Sequence, residues 1–189
     1  MHLTKRITHA IHRAAELHAG QVRKDGVTPI LVHPLLVAEI VSDYTDNEDV
    51  VITAILHDTV EDTSYTLAEA KQEFGEKIGG YLAELSEKSM HNGIASASWE
   101  ERKHARLKQL ESASPEAMLV FAADKIHNLR TLIDDYAVAG EKLWERFHAP
   151  KDRQLWYAHE LLQILERRLQ SKIVDDLAAV YQEAVETFK

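Results

Sequence analysis

Apolar residues recur at helical spacing along most of the chain. In the first segment they fall at three- and four-residue steps, at Leu3, Ile7, Ala10, Ala14 and Leu17. This spacing is typical of one buried helix face. Similar patterns, separated by capping residues, prolines and glycines, predict further helices at 35–44, 47–57, 66–74, 77–87, 99–110, 116–136, 152–169 and 173–188. Since no stretch alternates as a strand does, the sequence predicts an all-α fold.

The length and composition fit one folded unit. The chain has 189 residues, of which 45% are hydrophobic, and this is enough for one sizeable core. We therefore predict a single-domain helical bundle over residues 1–189, with its motifs in about 18–130 and packing helices in about 150–189. Aromatic residues at helical spacing are expected to pack over this last part, namely Trp144, Phe147, Trp156 and Tyr157.

Charge and cysteine content narrow the function. The net charge of -9 argues against binding to a nucleic acid duplex, although a local basic pocket would still suit a small anion. The absence of cysteine excludes disulfides and thiolate metal sites and fits a reducing cytoplasm. No apolar stretch approaches the roughly 20 residues that span a bilayer, and the N-terminus lacks a signal-peptide core. We predict a cytoplasmic protein without membrane association; the oligomeric state stays open, a homo-oligomer included.

The most informative segment is His57-Asp58-Thr59-Val60-Glu61-Asp62-Thr63, which directly follows the apolar run 50–56. Asp58 is spaced to share a helix face with Glu61 and Asp62. Burying carboxylates is costly unless a cation or hydrogen-bond donors compensate. Imidazole and carboxylate together suit manganese, zinc or iron. The alternative is a solvated helix end, but the apolar run and the histidine favour a metal site.

A second cluster lies in the long helix near residue 120. Asp124 ends the apolar run 118–123, and Asn128 follows one turn later. Asp124 on the core side of this helix would be a natural fourth metal ligand. The alternative is a salt bridge from Asp124 to Lys125 or Arg130.

A third cluster combines His33-Pro34 with Arg23-Lys24, which lies in the glycine- and proline-containing loop 20–29. Basic residues in a loop are more often solvated surface. Beside a metal site they become candidates for binding phosphate, because arginine offers a planar, bidentate donor pair.

Together these motifs resemble those of a known family. The series His33, His57-Asp58 and Asp124 is similar to the ligand set of HD-domain metal-dependent phosphohydrolases. The segments that extend the resemblance to the hydrolase domain of Rel/SpoT enzymes and to free-standing small alarmone hydrolases are 18–26, 33–34, 57–63, 73–75 and 123–130. The resemblance covers about residues 3 to 170.

The resemblance implies an HD fold and a role for each matching residue. One divalent ion, manganese, would be bound by His33, His57, Asp58 and Asp124. Glu61 and Asp62 would position and activate a water molecule as the catalytic pair. The implied or candidate contacts to a nucleotide substrate are Arg23, Lys24, Lys125 and Asn128, followed by His127, Lys88 and Arg102. His18 is expected to orient a neighbour through a hydrogen bond rather than to bind metal.

The implied reaction removes the 3′-pyrophosphate of (p)ppGpp-like alarmones, giving GDP or GTP. Ile30 and His127 stand where the family usually has tyrosine, which bears on guanine specificity but leaves the metal ligands intact. The alternatives are an HD phosphohydrolase for another nucleotide, such as ppApp, NADPH or a nucleoside phosphate, and a nucleotide-binding protein without activity.

Overall fold

The structure is a computed structural model that describes residues 1–86, 98–147 and 149–189. These residues form α-helices and a 3-10 helix over Gly140–Arg146, without a named strand. The α-helices are α1 (Lys5–Leu17), α2 (Val32–Ser42), α3 (Glu48–Leu56), α4 (Thr59–Asp62), α5 (Leu67–Phe74), α6 (Glu76–Leu85), α7 (Trp99–Leu110), α8 (Pro115–Ala139), α9 (Lys151–Arg168) and α10 (Lys172–Thr187). The predicted all-α class is confirmed.

Capping residues in the sequence explain where several helices begin. The side chains of Asn47, Ser98 and Ser114 each accept a hydrogen bond from a backbone N–H in the first turn of α3, α7 and α8. A capping side chain of this kind contributes about 1 kcal/mol to helix stability. The starts of these three helices therefore follow directly from the sequence.

One predicted helix boundary was wrong, and one helical element was not predicted. Helix α2 begins at Val32 rather than at residue 35, so that Pro34 lies inside the first turn, where no helical partner is needed for its nitrogen. The 3-10 helix at Gly140–Arg146 was not predicted. It begins at Gly140, whose φ of 58° favours glycine and ends α8.

The helix that leads into the acidic segment is divided in two. Helix α3 ends at Leu56 and α4 begins at Thr59. Side chains take the last carbonyls of α3: His57 Nδ1 lies 2.7 Å from Ala54 O, and Thr59 Oγ1 donates to Leu56 O at 2.6 Å. Because these carbonyls are satisfied locally, the chain can turn at His57 and Asp58.

Helix α3 lies at the centre of the bundle. All of its residues from 50 to 56 are buried, and it packs against α1, α2, α6 and α8. Residues 117–123 of α8 are also buried. The hydrophobic cluster extends from Ile7 to Phe188, which supports the proposal that residues 1–189 form one domain. The buried parts of α3 and α8 thus end directly before Asp58 and Asp124.

Two further expectations from the sequence concern Lys88 and the absence of a membrane-spanning segment. Lys88 lies outside the described residues. Among the residues that are described, no helix is both long and apolar enough to cross a bilayer.

Candidate active site

The four residues expected to bind metal lie together. His33, His57 and Asp58 offer ligand atoms that lie within 4.8 Å of one another. His57 Nε2 lies 3.1 Å from Asp58 Oδ1, and His33 Nε2 lies 3.0 Å from Asp124 Oδ1. Ligands bound at right angles around a small divalent ion are about 3 Å apart, given bonds of about 2.1 Å. The spacing of this ligand cluster (His33, His57, Asp58 and Asp124) therefore suits one ion.

The charges of the ligand cluster also call for a cation. Burial opposes protonation of His57, but the charges of Asp58 and Asp124 nevertheless raise its pKa to about 9. Burial likewise acts against the ionised form of Asp124, yet the hydrogen bond and charge of His33 hold its pKa below the usual range. His57 Nε2 is buried without a well-formed hydrogen bond. These residues fit a divalent ion, which would satisfy this nitrogen and neutralise the carboxylates together.

Each histidine of the ligand cluster is held through its other ring nitrogen. His57 Nδ1 lies 2.7 Å from the carbonyl oxygen of Ala54. His33 Nδ1 lies 2.8 Å from Nδ1 of His127 on α8. Both rings therefore present Nε2 to the carboxylates, and a hydrogen bond at the other nitrogen fixes the orientation of such a ligand.

The expected catalytic carboxylates lie on the short helix α4. Asp62 is exposed at the mouth of the site, but its surroundings still desolvate the carboxyl group, and with the charge of Asp58 they raise its pKa. Glu61 Oε1 accepts a hydrogen bond from Arg106 Nη1 at 3.2 Å. The Arg106 guanidinium lies 4.7 Å from the centre of the Phe121 ring. Arg106 thus connects α7 to α4.

A hydrogen-bonded chain supports α4 from the other side. His18, which is buried after α1, lies with Nδ1 2.7 Å from Gln21 Oε1. Gln21 Nε2 in turn donates to the backbone oxygen of Asp62 at 3.0 Å. His18 therefore orients a neighbour, as the sequence led us to expect, and Gln21 links it to α4.

Basic side chains from three parts of the chain form a wall beside the ligand cluster. Lys24 Nζ lies 4.2 Å from the centre of the Phe147 ring, and Lys103 and Lys125 lie 5.0 and 4.7 Å from that of Tyr157. We call Lys24, Lys103, Arg106 and Lys125 the basic wall.

Like charges lie close together in the basic wall. Desolvation, together with Lys103 and Arg106, lowers the pKa of Lys125 below its usual value, although Asp124 opposes the shift. Desolvation, Lys103 and Arg23 lower the pKa of Lys24 in the same way. A cluster of repelling cations is stabilised by an anion, so the basic wall is suited to a group with several negative charges.

The loop that carries Arg23 and Lys24 is ordered by its own sequence. Val22 pairs with Pro29 as an isolated β-bridge. Asp25 Oδ1 accepts hydrogen bonds from the backbone nitrogens of Val27 and Thr28 at 2.8 and 2.9 Å. The exposed loop is therefore a structured arm at the site.

Other candidate residues have different neighbours from those expected. Asn128 Nδ2 donates to Asp124 Oδ1 at 2.7 Å, so it holds a proposed metal ligand. Arg102 lies on α7 next to Lys103 and is partly buried. Tyr157, expected only to pack, contacts two lysines of the basic wall.

Sequence reasoning missed two residues of the site, Gln21 and Arg106, whereas Lys103, like Lys88 and Arg102, was a candidate phosphate contact for which surface charge was the favoured interpretation. For Arg106 a signal existed, because it lies three residues after Lys103 in a predicted helix and must share its face. Gln21 is in the glycine-bounded loop, and its role depends on a contact with α4 that no local pattern encodes.

Comparison with known proteins agrees with this geometry. The HD domain family matches residues 10–152. A GTP pyrophosphokinase of Myxococcus xanthus is 37% identical over 63% of this chain, which corresponds to only 16% of that protein's length. The guanosine-3′,5′-bis(diphosphate) 3′-pyrophosphohydrolase MESH1 of Homo sapiens is 38% identical over 63% of this chain and 65% of its own length.

Solved structures extend the likeness to the whole fold. One is a metazoan ortholog of SpoT that hydrolyses ppGpp; it has a TM-score of 0.79 and 26% identity, and the match covers 97% of each chain. Another, from Listeria monocytogenes EGD-e, has a TM-score of 0.69 and 30% identity and covers 85% of this chain and 98% of its own. The resemblance inferred from the motifs is confirmed: this chain belongs to the HD domain family, whose hydrolases use divalent metals.

Proposed function

We propose that this protein is a metal-dependent nucleotide pyrophosphohydrolase that removes the 3′-pyrophosphate of (p)ppGpp-like alarmones in the cytoplasm. The observation that carries the proposal is the ligand cluster, with Asp62 at its mouth and the basic wall beside it. The names of the relatives support the choice of substrate, because the matching human protein is a 3′-pyrophosphohydrolase of guanosine-3′,5′-bis(diphosphate).

The ligand cluster would hold one divalent ion through His33, His57, Asp58 and Asp124. Two imidazoles and two carboxylates suit manganese, which accepts both nitrogen and oxygen ligands. When bound, the ion polarises a phosphoryl oxygen and lowers the pKa of water. His33 and His57 present Nε2 towards the carboxylates and keep Nδ1 in separate hydrogen bonds, so the ligand set is organised before the ion binds.

The two carboxylates of α4 have different roles towards the attacking water. Asp62 is exposed at the mouth of the site, where it accepts the proton that water loses. Glu61 is held by Arg106 and fixes the direction of attack. A bond forms between the water oxygen and the phosphorus next to the 3′-oxygen, and the bond from this phosphorus to the 3′-oxygen breaks. The 3′-oxygen takes up a proton, which balances the proton that Asp62 removes from the water, and pyrophosphate is released.

The basic wall binds and neutralises the phosphates. Lys103 and Lys125 are positioned by the ring of Tyr157 and Lys24 by that of Phe147, so these three ammonium groups are partly ordered before the substrate arrives. Arg23, next to Lys24 in the structured loop, adds a planar donor pair for phosphate oxygens.

The test is a comparison of substrates with identification of the products. Purified protein with manganese would be given ppGpp, ppApp, NADPH and a nucleoside monophosphate, with the Asp62→Asn variant as the control. The proposal predicts GDP and pyrophosphate from ppGpp, with loss of turnover in the variant and with chelator. Turnover of another nucleotide in place of ppGpp would overturn the substrate, and binding without any turnover would overturn the enzymatic function.

A further inference from the structure

His33 and His127 are joined by an unusual contact between two imidazoles. Their Nδ1 atoms lie 2.8 Å apart, and their ring centres lie 4.7 Å apart with a tilt of 53°. On its other side, His33 Nε2 faces Asp124 Oδ1 at 3.0 Å and Asp58 Oδ2 at 3.5 Å. His33 therefore lies between the ligand cluster and His127, with one nitrogen towards each.

The single hydrogen between the two Nδ1 atoms determines which of the two histidines donates and which accepts. A contact of 2.8 Å between two nitrogens requires one hydrogen between them. A His33 that binds metal through Nε2 carries its proton on Nδ1 and must donate it. His127 must then accept with an unprotonated Nδ1, and its own proton is on Nε2. The contact is therefore satisfied by one pair of tautomers when metal is bound.

His57 provides the comparison within the same site. Its Nδ1 lies 2.7 Å from the carbonyl oxygen of Ala54, one turn earlier on its own helix. A backbone carbonyl is a usual partner for the second nitrogen of a metal-bound histidine. His33 instead depends on a side chain of α8, 94 positions later in the chain, so its orientation requires the correct packing of α2 against α8.

We propose that His127 is a positioning residue that orients His33 and fixes its tautomer for metal binding, rather than a contact to the nucleotide. This inference rests on the metal site of the proposed function but not on its substrate. One turn of α8 would then control two ligands, because Asn128 donates to Asp124 from the next position.

Two substitutions of His127 distinguish the effect of its hydrogen-bond acceptor from that of its aromatic ring. His127→Phe keeps an aromatic ring but removes the acceptor, whereas His127→Asn places a carbonyl oxygen near the position of Nδ1. Loss of an outer hydrogen-bond partner typically weakens metal binding by about 10- to 100-fold. We expect calorimetric titration of metal-free protein with manganese to show this loss for His127→Phe and near-normal affinity for His127→Asn. His12→Phe, at an exposed position of α1, is the matched control.

A second measurement does not depend on the variants. Nitrogen-15 NMR of the histidine rings in the wild-type protein with a diamagnetic divalent ion, zinc, should show His33 protonated on Nδ1 and His127 protonated on Nε2. The inference is overturned if His127→Phe binds manganese as tightly as wild type, if asparagine fails to restore the affinity, or if His127 carries its proton on Nδ1. Failure of the wild-type protein to bind any divalent ion would instead remove the metal site on which the proposed function depends.

Discussion

The ligand cluster and the basic wall face the same site but are built in different ways. Both histidines of the ligand cluster are buried, and three of its members follow or end buried stretches of α3 and α8. The basic wall comes from the loop 20–29, from α7 and from α8, and all four of its cations lie over aromatic rings from later in the chain. The ligand cluster thus depends on the core, and the basic wall on side chains that meet at the surface.

This difference indicates that the ligand cluster serves the chemical step and the basic wall serves substrate binding. Rigid ligands with fixed tautomers are suited to the chemical step, which requires reacting groups in one geometry. Lysines on aromatic faces keep some freedom and are suited to holding phosphates by charge. We therefore expect changes in the ligand cluster and α4 to lower metal binding or kcat, and changes in the basic wall to raise KM.

The largest effect should come from the ligand cluster. Asp124→Asn removes one charge without changing size, and it weakens contacts to both histidines. We expect manganese affinity and turnover both to fall by more than about 100-fold, beyond the loss typical of an outer partner. Calorimetry and a pyrophosphate release assay would measure the two quantities. Asp134→Asn, an exposed position on the same helix, is the control; equal activity of both variants would contradict the assigned ligand.

The next largest effect is expected for Asp62, where a substitution should lower the rate of the chemical step without weakening metal binding. Asp62→Asn removes the proposed proton acceptor at the mouth of the site, while His33, His57 and Asp58 remain. Loss of such a group costs about 10²- to 10⁴-fold in rate. We expect kcat to fall by that amount with KM and manganese affinity nearly unchanged, as steady-state kinetics and calorimetry would show. A variant that lost metal binding instead would place Asp62 among the ligands.

A smaller effect is expected from the basic wall. Lys125→Met and Lys103→Met each remove one cation beside Tyr157 but keep much of the side-chain length. We expect KM to rise about tenfold, which corresponds to about 1.4 kcal/mol of binding, with kcat changed little. The wild-type KM should also rise with ionic strength, because salt screens exposed charges. Lys108→Met, at an exposed position on α7, should leave KM unchanged; an equal rise in this control would reject a local site.

The smallest effect is expected in the structured loop. Hydrogen bonds from the Thr28 side chain and from the backbone of Val27 and Thr28 lower the pKa of Asp25 to about 2. A lowered pKa means that the carboxylate stabilises the folded loop above its unfolded pKa, and this contribution is lost as pH falls towards about 2. Carbon-13 NMR of the Asp25 carboxyl group should therefore show a midpoint near pH 2.

Substitution of the same residue tests the link to the substrate. Asp25→Asn should raise KM less than either basic-wall lysine variant does, because the β-bridge between Val22 and Pro29 still holds the loop. A normal midpoint for Asp25, or a KM effect larger than that of Lys125→Met, would show that the loop is organised differently.

The ligand cluster could be predicted from the sequence because its residues follow local rules. His57 and Asp58 come directly after a buried helix, and Asp124 ends a buried run inside another. Helical periodicity identifies these runs, and a polar residue at such a position needs a partner. His33 was recognised through the resemblance, since its burial depends on how α2 packs.

The basic wall and its supports could not be predicted in the same way. Arg106 reaches Glu61 across 45 positions, and Gln21 reaches Asp62 across 41. Helical spacing predicts which residues share a helix face, but it does not predict which other helix packs against that face. For the same reason His127 was expected at the nucleotide, whereas its Nδ1 contacts His33.

The most direct test of the account is a titration of metal-free protein with manganese, with release of pyrophosphate and GDP from ppGpp followed at each step. One catalytic ion in the ligand cluster requires no turnover without metal, saturation at one ion per chain, and pyrophosphate as the only inorganic phosphorus product. Turnover that persists in chelator, or release of single phosphates, would contradict the assignment of the ligand cluster to 3′-pyrophosphate hydrolysis.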